Sequence, residues 1–404
     1  MSAKAPAANA TPPIHPLLRP DREYPFVVLD RMRERLAPPG ITPISFSIGD
    51  PRERTPEFIK DALKNAIPEM SSYPSTNGQP ALRAAAAGWL ERRFAVKADP
   101  EKHILPATGT KEAVFLLHHV VLAPGSSKRT VVIPSPAYPV YDAGTRFCGG
   151  EPYLVPLRSE DRWHFDPSRV PAEVWERTAL LWLNSPHNPT GAVLKPETVE
   201  GIAALARKHS FWILSDEIYA RLQYEGRHLS IASLPGMSER TVVLDGFSKT
   251  YAMTGWRLGF GIMPKPLAVH VTRLMTNCNS CTASFVQRAG MAALTGPQGE
   301  MHAMVQEFKV RRDTIVKGLN QIPGIRCAMP KGAFYVFPNI TGTGMKSKEL
   351  ATALLEEAGV AGLAGTSFGA FGDGYLRFSY ANSLENINTA LAAIGDYVGV
   401  RAKA

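Results

Sequence analysis

Between about residues 100 and 265 the chain alternates short unbroken apolar runs with segments that place apolar residues at helical spacing. KHILPAT leads into KEAVFLLHHVVL, RTVVIPSP into VYDAGTRFCGG, and TALLWLNSP into PETVEGIAALARKH; FWILSDEIY, RTVVLDGFS and RLGFGIM follow. Apolar runs without polar alternation are strands buried on both faces, and strands separated by helical crossovers lie parallel. The pattern therefore predicts an α/β fold, a mostly parallel sheet covered by helices on both sides. Polar or glycine-containing residues gather just past the C-terminal ends of these runs, where open α/β sheets bind ligands. Further along, GIRCAMPKGAFYVFPNI, the helical SKELATALLEEAGV, GYLRFSYA and LENINTALAAIGDYV predict a smaller α+β unit.

Composition changes this picture little. The 404 residues are 45% hydrophobic and 20% charged, ordinary for a globular protein with room for more than one domain. No apolar run is long enough to cross a bilayer. The Ala/Pro-rich start has no apolar signal core, so residues 1–22 read as a disordered leader and the expected location is cytoplasmic. The net charge of +9 suits anionic small molecules, but the basic residues are dispersed and form no nucleic-acid patch. Four cysteines are too few for a disulfide framework in so long a chain, and the Cys278/Cys281 pair has no second pair or histidine cluster beside it. They read as free thiols, with no metal site expected.

Four motifs lie at the strand ends. ATGTKE (107–112) runs from a strand into a helix, where small residues and the N–H groups of Thr110 and Lys111 can hold a phosphate. NSPHNPTG (184–191) taken alone is a Pro/Gly turn closing a strand. SDEIY (215–219) puts Asp216 at an apolar strand end, either as a capped structural acid or as the partner of a cation. GFSKTYAMTGWRLG (246–259) sets Lys249 and Arg257 in a mostly apolar stretch, and a buried cation needs an anion or must give up its charge. One ligand answers all four. A lysine that can condense with a carbonyl, an arginine and helix N–H groups for a phosphate, and an acid for a cationic ring nitrogen together describe pyridoxal 5'-phosphate (PLP). No G-x-G-x-x-G follows an early strand, so a Rossmann nucleotide site is not supported.

With FSIGDP, YPSTNGQPALR, GTKEAVF, PAYPVY, SPHNPTG, SDEIY, SKTYAMTGWRLG and YLRFSYA in order, the chain after about residue 24 resembles the class I/II, fold-type I PLP-dependent aminotransferases. Each motif is weak alone; the ordered set is specific. The resemblance implies a large domain (52–290) with a mixed seven-stranded sheet, a small domain (291–404) joined by the N-terminal segment 23–51, and a homodimer with shared active sites. It implies that Lys249 is the Schiff-base lysine and proton carrier, that Asp216 protonates the ring nitrogen, and that Asn188 and Tyr219 bond the phenolic oxygen. Tyr138 would stack on the ring, and Thr110, Lys111, Ser248 and Arg257 would line the phosphate cup. Tyr73 would reach the partner subunit's phosphate, and Arg377 would grip the substrate α-carboxylate beside Gly49 and Asn188. Gly246 stands where some members carry a phosphate-binding serine, which puts more weight on Ser248 and Arg257.

The partners implied are an amino acid and a 2-oxo acid. Other chemistries share the fold, among them C–S lyases, decarboxylases and synthases, and aminotransferases of neutral or aromatic amino acids; only the substrate pocket separates them. A PLP-binding transcription regulator would need a helix-turn-helix unit ahead of this pattern, which the Ala/Pro leader does not suggest. Lys111 matches the lysine that bacterial aspartate and diaminopimelate-type aminotransferases aim at the distal end of the substrate. Arg52 and Arg54, in GDPRERTP, either add charge there or are solvent-facing loop residues. The expectation is an acidic substrate, aspartate or N-succinyldiaminopimelate, exchanged with 2-oxoglutarate.

Overall fold

The structure is a computed structural model that describes residues 15–18, 24–36, 38 and 42–401. Most of the expected leader lies outside the described residues. Residues 16–18 form a 3-10 turn instead of disordered chain, and the adjoining His15 ring stacks 5.1 Å from Phe147.

The chain enters through helix α1 (Pro25–Leu36), the short strand β1 (Ile44–Ser45), α2 (Glu57–Lys64) and α3 (Pro80–Phe94). The alternating region follows as β2 (Ile104–Ala107), α4 (Thr110–Val121), β3 (Thr130–Ser135), α5 (Val140–Phe147) and β4 (Glu151–Pro156). It continues through α6 (Ala172–Arg177), β5 (Thr178–Asn184), α7 (Pro196–His209), β6 (Trp212–Asp216), β7 (Thr241–Gly246), α8 (Phe247–Thr250) and β8 (Gly259–Ile262). These strands make one seven-stranded sheet in the order β2-β8-β7-β6-β5-β3-β4. Only β8 runs against its neighbours, β2 and β7. The link from β7 to β8 carries a four-residue helix and a three-residue 3-10 turn, too little for a helical crossover, so β8 returns antiparallel.

Side-chain alternation splits the sheet between two cores. In β5, Leu180 and Trp182 pack with Val114, Leu117 and Tyr141 of α4 and α5, while Leu181 and Leu183 pack with Val174, Val199 and Ile202 of α6 and α7. Every β5 residue is buried, as its unbroken apolar run requires. The edge strand β4 carries two prolines and a half-exposed pattern, so the chain offers no strong strand signal there.

The remainder is α9 (Lys265–Cys278), α10 (Ser284–Thr295), the long α11 (Gly299–Leu319), β9 (Tyr335–Val336), α12 (Ser347–Ala358), β10 (Val360–Ala361), β11 (Leu363–Ala364), β12 (Leu376–Ser379) and α13 (Leu384–Arg401). Strands β11-β12-β9 form an antiparallel sheet. The N-terminal segment joins this end of the chain, because β1 pairs in parallel with β10 through Ile44–Val360 and Ser45–Ala361. Cys278 is exposed at the end of α9 and Cys281 is buried; both are free.

Candidate active site

The C-terminal ends of β5, β6 and β7 and the turns around them open into a cleft of about 430 Å³. Asp216 is the last residue of β6, Asn188 sits in the turn after β5, and Lys249 is on α8 directly after β7. Thr110 and Lys111 begin α4, Tyr138 precedes α5, and Arg257 precedes β8. Ser248 and Tyr219 complete this wall, while Gly49 follows β1 and Arg377 comes from β12 on the other sheet. All eleven of these expected site residues line the one cleft.

Asp216 is buried, and its Oδ2 accepts a hydrogen bond from the Tyr141 hydroxyl at 2.7 Å while Oδ1 accepts from the Ile218 N–H at 3.3 Å. Burial raises its pKa to about 6, opposed by these two bonds. Lys249 Nζ donates to the Gly49 carbonyl and lies 3.4 Å from Asp50 Oδ1. Desolvation lowers the pKa of its amine, and Asp50 opposes that shift. Gly109 ends the turn before α4 with φ +78°, a left-handed conformation, and a Cβ there would lie 2.5 Å from Arg257 Nη2. The Arg257 guanidinium is thus brought against the helix N-terminus, where it donates to the carbonyls of Thr254 (2.9 Å) and Thr108 (3.2 Å).

Arg377 is the most unusual group. It is 1% exposed and lies over the rings of Tyr335 (4.6 Å), Phe368 (5.0 Å) and Phe26 (5.3 Å). Its Nη2 donates to the Ser47 carbonyl, Nη1 lies 3.5 Å from Asn188 Oδ1, and Nε has no partner among the described residues. Among the described residues no carboxylate lies within ion-pair distance of it. Burial lowers its pKa, and a cation this desolvated calls for an anion from outside the chain.

The structure also adds residues that the pattern did not single out. Tyr141 holds Asp216; Asn184 ties β5 to β6 by donating to the Asp216 carbonyl (2.8 Å) while accepting from the Asn188 N–H (2.8 Å). Tyr335 shares a 2.7 Å hydrogen bond with Tyr219. Tyr24 and Phe26 also line the cleft, with Lys111 Nζ 4.5 Å over the Tyr24 ring. Tyr141 and Asn184 fall inside PAYPVY and NSPHNPTG, so a reading of whole motifs could have found them. Tyr335 carries no such signal. One expected residue is not in the cleft: Tyr73 is 96% exposed, outside its own chain's cleft. Of the two alternatives for Arg52 and Arg54, the structure favours loop residues. Arg52 donates to Asn382 Oδ1 (2.9 Å) and the Ser45 carbonyl (3.1 Å), Arg54 is exposed, and neither lines the cleft.

A buried acid without a cation in contact, a desolvated lysine beside it and a guanidinium at a helix N-terminus fit the ring nitrogen, aldehyde and phosphate of PLP. The fold and this donor set define a fold-type I PLP-dependent enzyme. A family model described as aminotransferase class I and II matches residues 41–394, and the chain belongs to that family. It is 36% identical to an LL-diaminopimelate aminotransferase of Syntrophobacter fumaroxidans, over 91% of this chain and 94% of that protein. It is 38% identical to an aspartate aminotransferase of Pyrococcus abyssi, over 86% and 90%. Among solved structures, an aromatic aminotransferase from Pyrococcus horikoshii superposes with a TM-score of 0.85 at 35% identity, covering 93% of this chain and all of that one. The protein is therefore a PLP-dependent aminotransferase.

Proposed function

We propose that this aminotransferase takes an acidic amino acid as donor and 2-oxoglutarate as acceptor. The observation that carries the reading is Lys111. Of the four cations lining the cleft, Lys249 meets Asp50, and Arg257 and Arg377 have places in holding the phosphate and the α-carboxylate; the Lys111 side chain has no such place and no anion among the described residues. Its ammonium is a point charge suited to a distal carboxylate. The Tyr24–Phe26 pair, stacked 5.0 Å apart in the same cleft, favours a second reading, a neutral or aromatic donor.

When bound, PLP supplies the electron-withdrawing ring that lets the substrate α-proton leave. Asp216 would hold a proton on the ring nitrogen, and its buried carboxylate would be stabilised by the charge there. The N–H groups of Thr110 and Lys111, with Ser248 and Arg257, would hold the phosphate. Asn188 and Tyr219 would bond the phenolic oxygen, and Tyr138 would support the ring. Arg377 takes the α-carboxylate in a two-pronged pair and so fixes which bond at the α-carbon is aligned for cleavage. Lys249 would anchor the cofactor and move the proton at its Nζ; desolvation, by lowering the pKa of that amine, favours its neutral form, free to accept a proton and ready to give it back.

In this reading Lys111→Ala lowers kcat/KM for aspartate or glutamate by roughly ten- to a hundredfold, the worth of one hydrogen bond to a charged group. Alanine, with no second carboxylate, is barely affected. Steady-state assays with a panel of donors against 2-oxoglutarate check this, and an equal loss for acidic and neutral donors counts against the acidic reading. We further propose a homodimer in which Tyr73 completes the partner's phosphate cup; Met70 and Ile67, 86% and 60% exposed beside it, form an apolar surface for a second copy to cover. Tyr73→Phe is expected to weaken PLP retention without changing the fold. Equilibrium dialysis and sedimentation test this together, and a fully active monomer contradicts it.

A further inference from the structure

From Asp216 a chain of buried aromatic and imidazole groups, which no step above uses, runs through Tyr141 and Trp182 to His118. The Tyr141 ring stacks face to face on Trp182, with centroids 4.3 Å apart and planes 13° apart. Trp182 Nε1 donates to His118 Nε2 at 3.0 Å. An indole N–H can only donate, so His118 Nε2 must be an acceptor and the ring proton sits on Nδ1. That Nδ1 then donates to the Phe115 carbonyl, 3.3 Å away, within the same helix α4. His118 is fully buried and Trp182 and Tyr141 nearly so. The absence of a side chain at Gly144 of α5 lets the imidazole in, since a Cβ there would lie 2.4 Å from His118 Nδ1.

We propose that Tyr141 is a positioning residue that keeps the Asp216 carboxylate ionised and aimed into the cleft, and that Trp182 and His118 hold its phenol in place from behind. The phenol supplies the shorter of the two hydrogen bonds to the Asp216 side chain; the other, from the Ile218 N–H, is a long 3.3 Å. The other titratable groups facing the carboxylate are its chain neighbour Glu217, which disfavours ionisation, and Lys249 of α8, which favours it. Tyr138 and Tyr219 also lie within electrostatic range, both with hydroxyls pushed toward the neutral form by burial. His118 titrates only near 4 because it is buried, so it stays neutral and the direction of its bond to Trp182 does not change across the working range. The stack is therefore a fixed strut and not a proton wire. Its function is to stop the phenol from turning away from Asp216.

The sign of the effect follows. The bond from Tyr141 lowers the pKa that burial has raised, so its removal moves Asp216 ionisation to higher pH. One hydrogen bond to a charged group corresponds to a shift of about one to two pH units. The test is the Tyr141→Phe holoenzyme, which keeps the stack and loses only the hydroxyl. Its visible absorption should titrate about one to two units higher than in the parent, and PLP should be lost more readily at pH 6.5 than at pH 8.5. Infrared titration of the PLP-free protein, with Asp216→Asn as the blank, should show the carboxyl itself shifted the same way. Trp182→Phe retains the ring stack but not the bond to His118, and should shift these titrations in the same direction by less. A Tyr141→Phe protein that loses PLP equally at both pH values with an unmoved carboxyl titration would overturn the assignment of Tyr141. An unshifted Trp182→Phe would remove Trp182 and His118 from it.

Discussion

Lys249→Ala is expected to fold, to bind PLP non-covalently and to turn over at least about a thousandfold more slowly than the parent, because it removes both the covalent anchor and the proton carrier. The parent should be yellow as purified, and borohydride should fix the cofactor to the peptide that contains Lys249. The variant should lose the borohydride-fixed label. Stability argues in the same direction. The Lys249 amine is desolvated and, among the described residues, meets the Gly49 carbonyl and Asp50, so burying it costs about as much as its contacts return. Its loss should leave the thermal midpoint unchanged or slightly raised. Absorbance spectra, peptide mapping after reduction and single-turnover kinetics check the three parts. A variant that still labels elsewhere with borohydride and retains turnover would show that another amine does the work.

The parallel sheet and most of the cleft are legible in the sequence because both follow from local pattern. TALLWLNSP has to be a central strand, since all its apolar positions need partners and its two faces serve two cores. Asp216 stands out as an acid closing such a run. What is not legible depends on contacts between residues far apart in the chain. The antiparallel turn of β8 rests on the shortness of the link before it, and β4 is masked by two prolines and exposure. Arg377 meets Ser47 and Asn188 across 330 and 189 residues, and its bed of Tyr335, Phe26 and Phe368 is assembled from three separate segments. Tyr141 reads in sequence as one more buried position of an amphipathic helix. Its hydroxyl gains meaning only when α5 is set over the end of β6. Arg52, a charge next to a site motif, shows the same limit: which of its two alternatives holds depends on a bond to Asn382, 330 residues away.

Arg377→Ala is the change expected to depress every amino donor alike. Its guanidinium is buried, partly unsatisfied at Nε and without a carboxylate partner among the described residues, so the α-carboxylate of a substrate is the anion that completes it. Truncating one side of a buried, hydrogen-bonded charge pair costs about 2–5 kcal/mol, which is about thirty- to several-thousandfold in kcat/KM. Arg377→Lys should recover only part of this, because an ammonium cannot reproduce the planar fork that meets both carboxylate oxygens. In the ligand-free enzyme the two costs of substitution oppose each other. The variant loses packing against three aromatic rings but also sheds a desolvated charge, so its thermal midpoint should move little. The stabilisation that a saturating 2-oxo acid gives the parent enzyme should, by contrast, disappear. That contrast separates an anchor from a structural residue: a structural arginine would lower the midpoint with and without ligand, while an anchor changes only the liganded one. If kcat/KM for acidic and neutral donors stays within about threefold of the parent, well under the ~2 kcal/mol of such a pair, the α-carboxylate is held elsewhere.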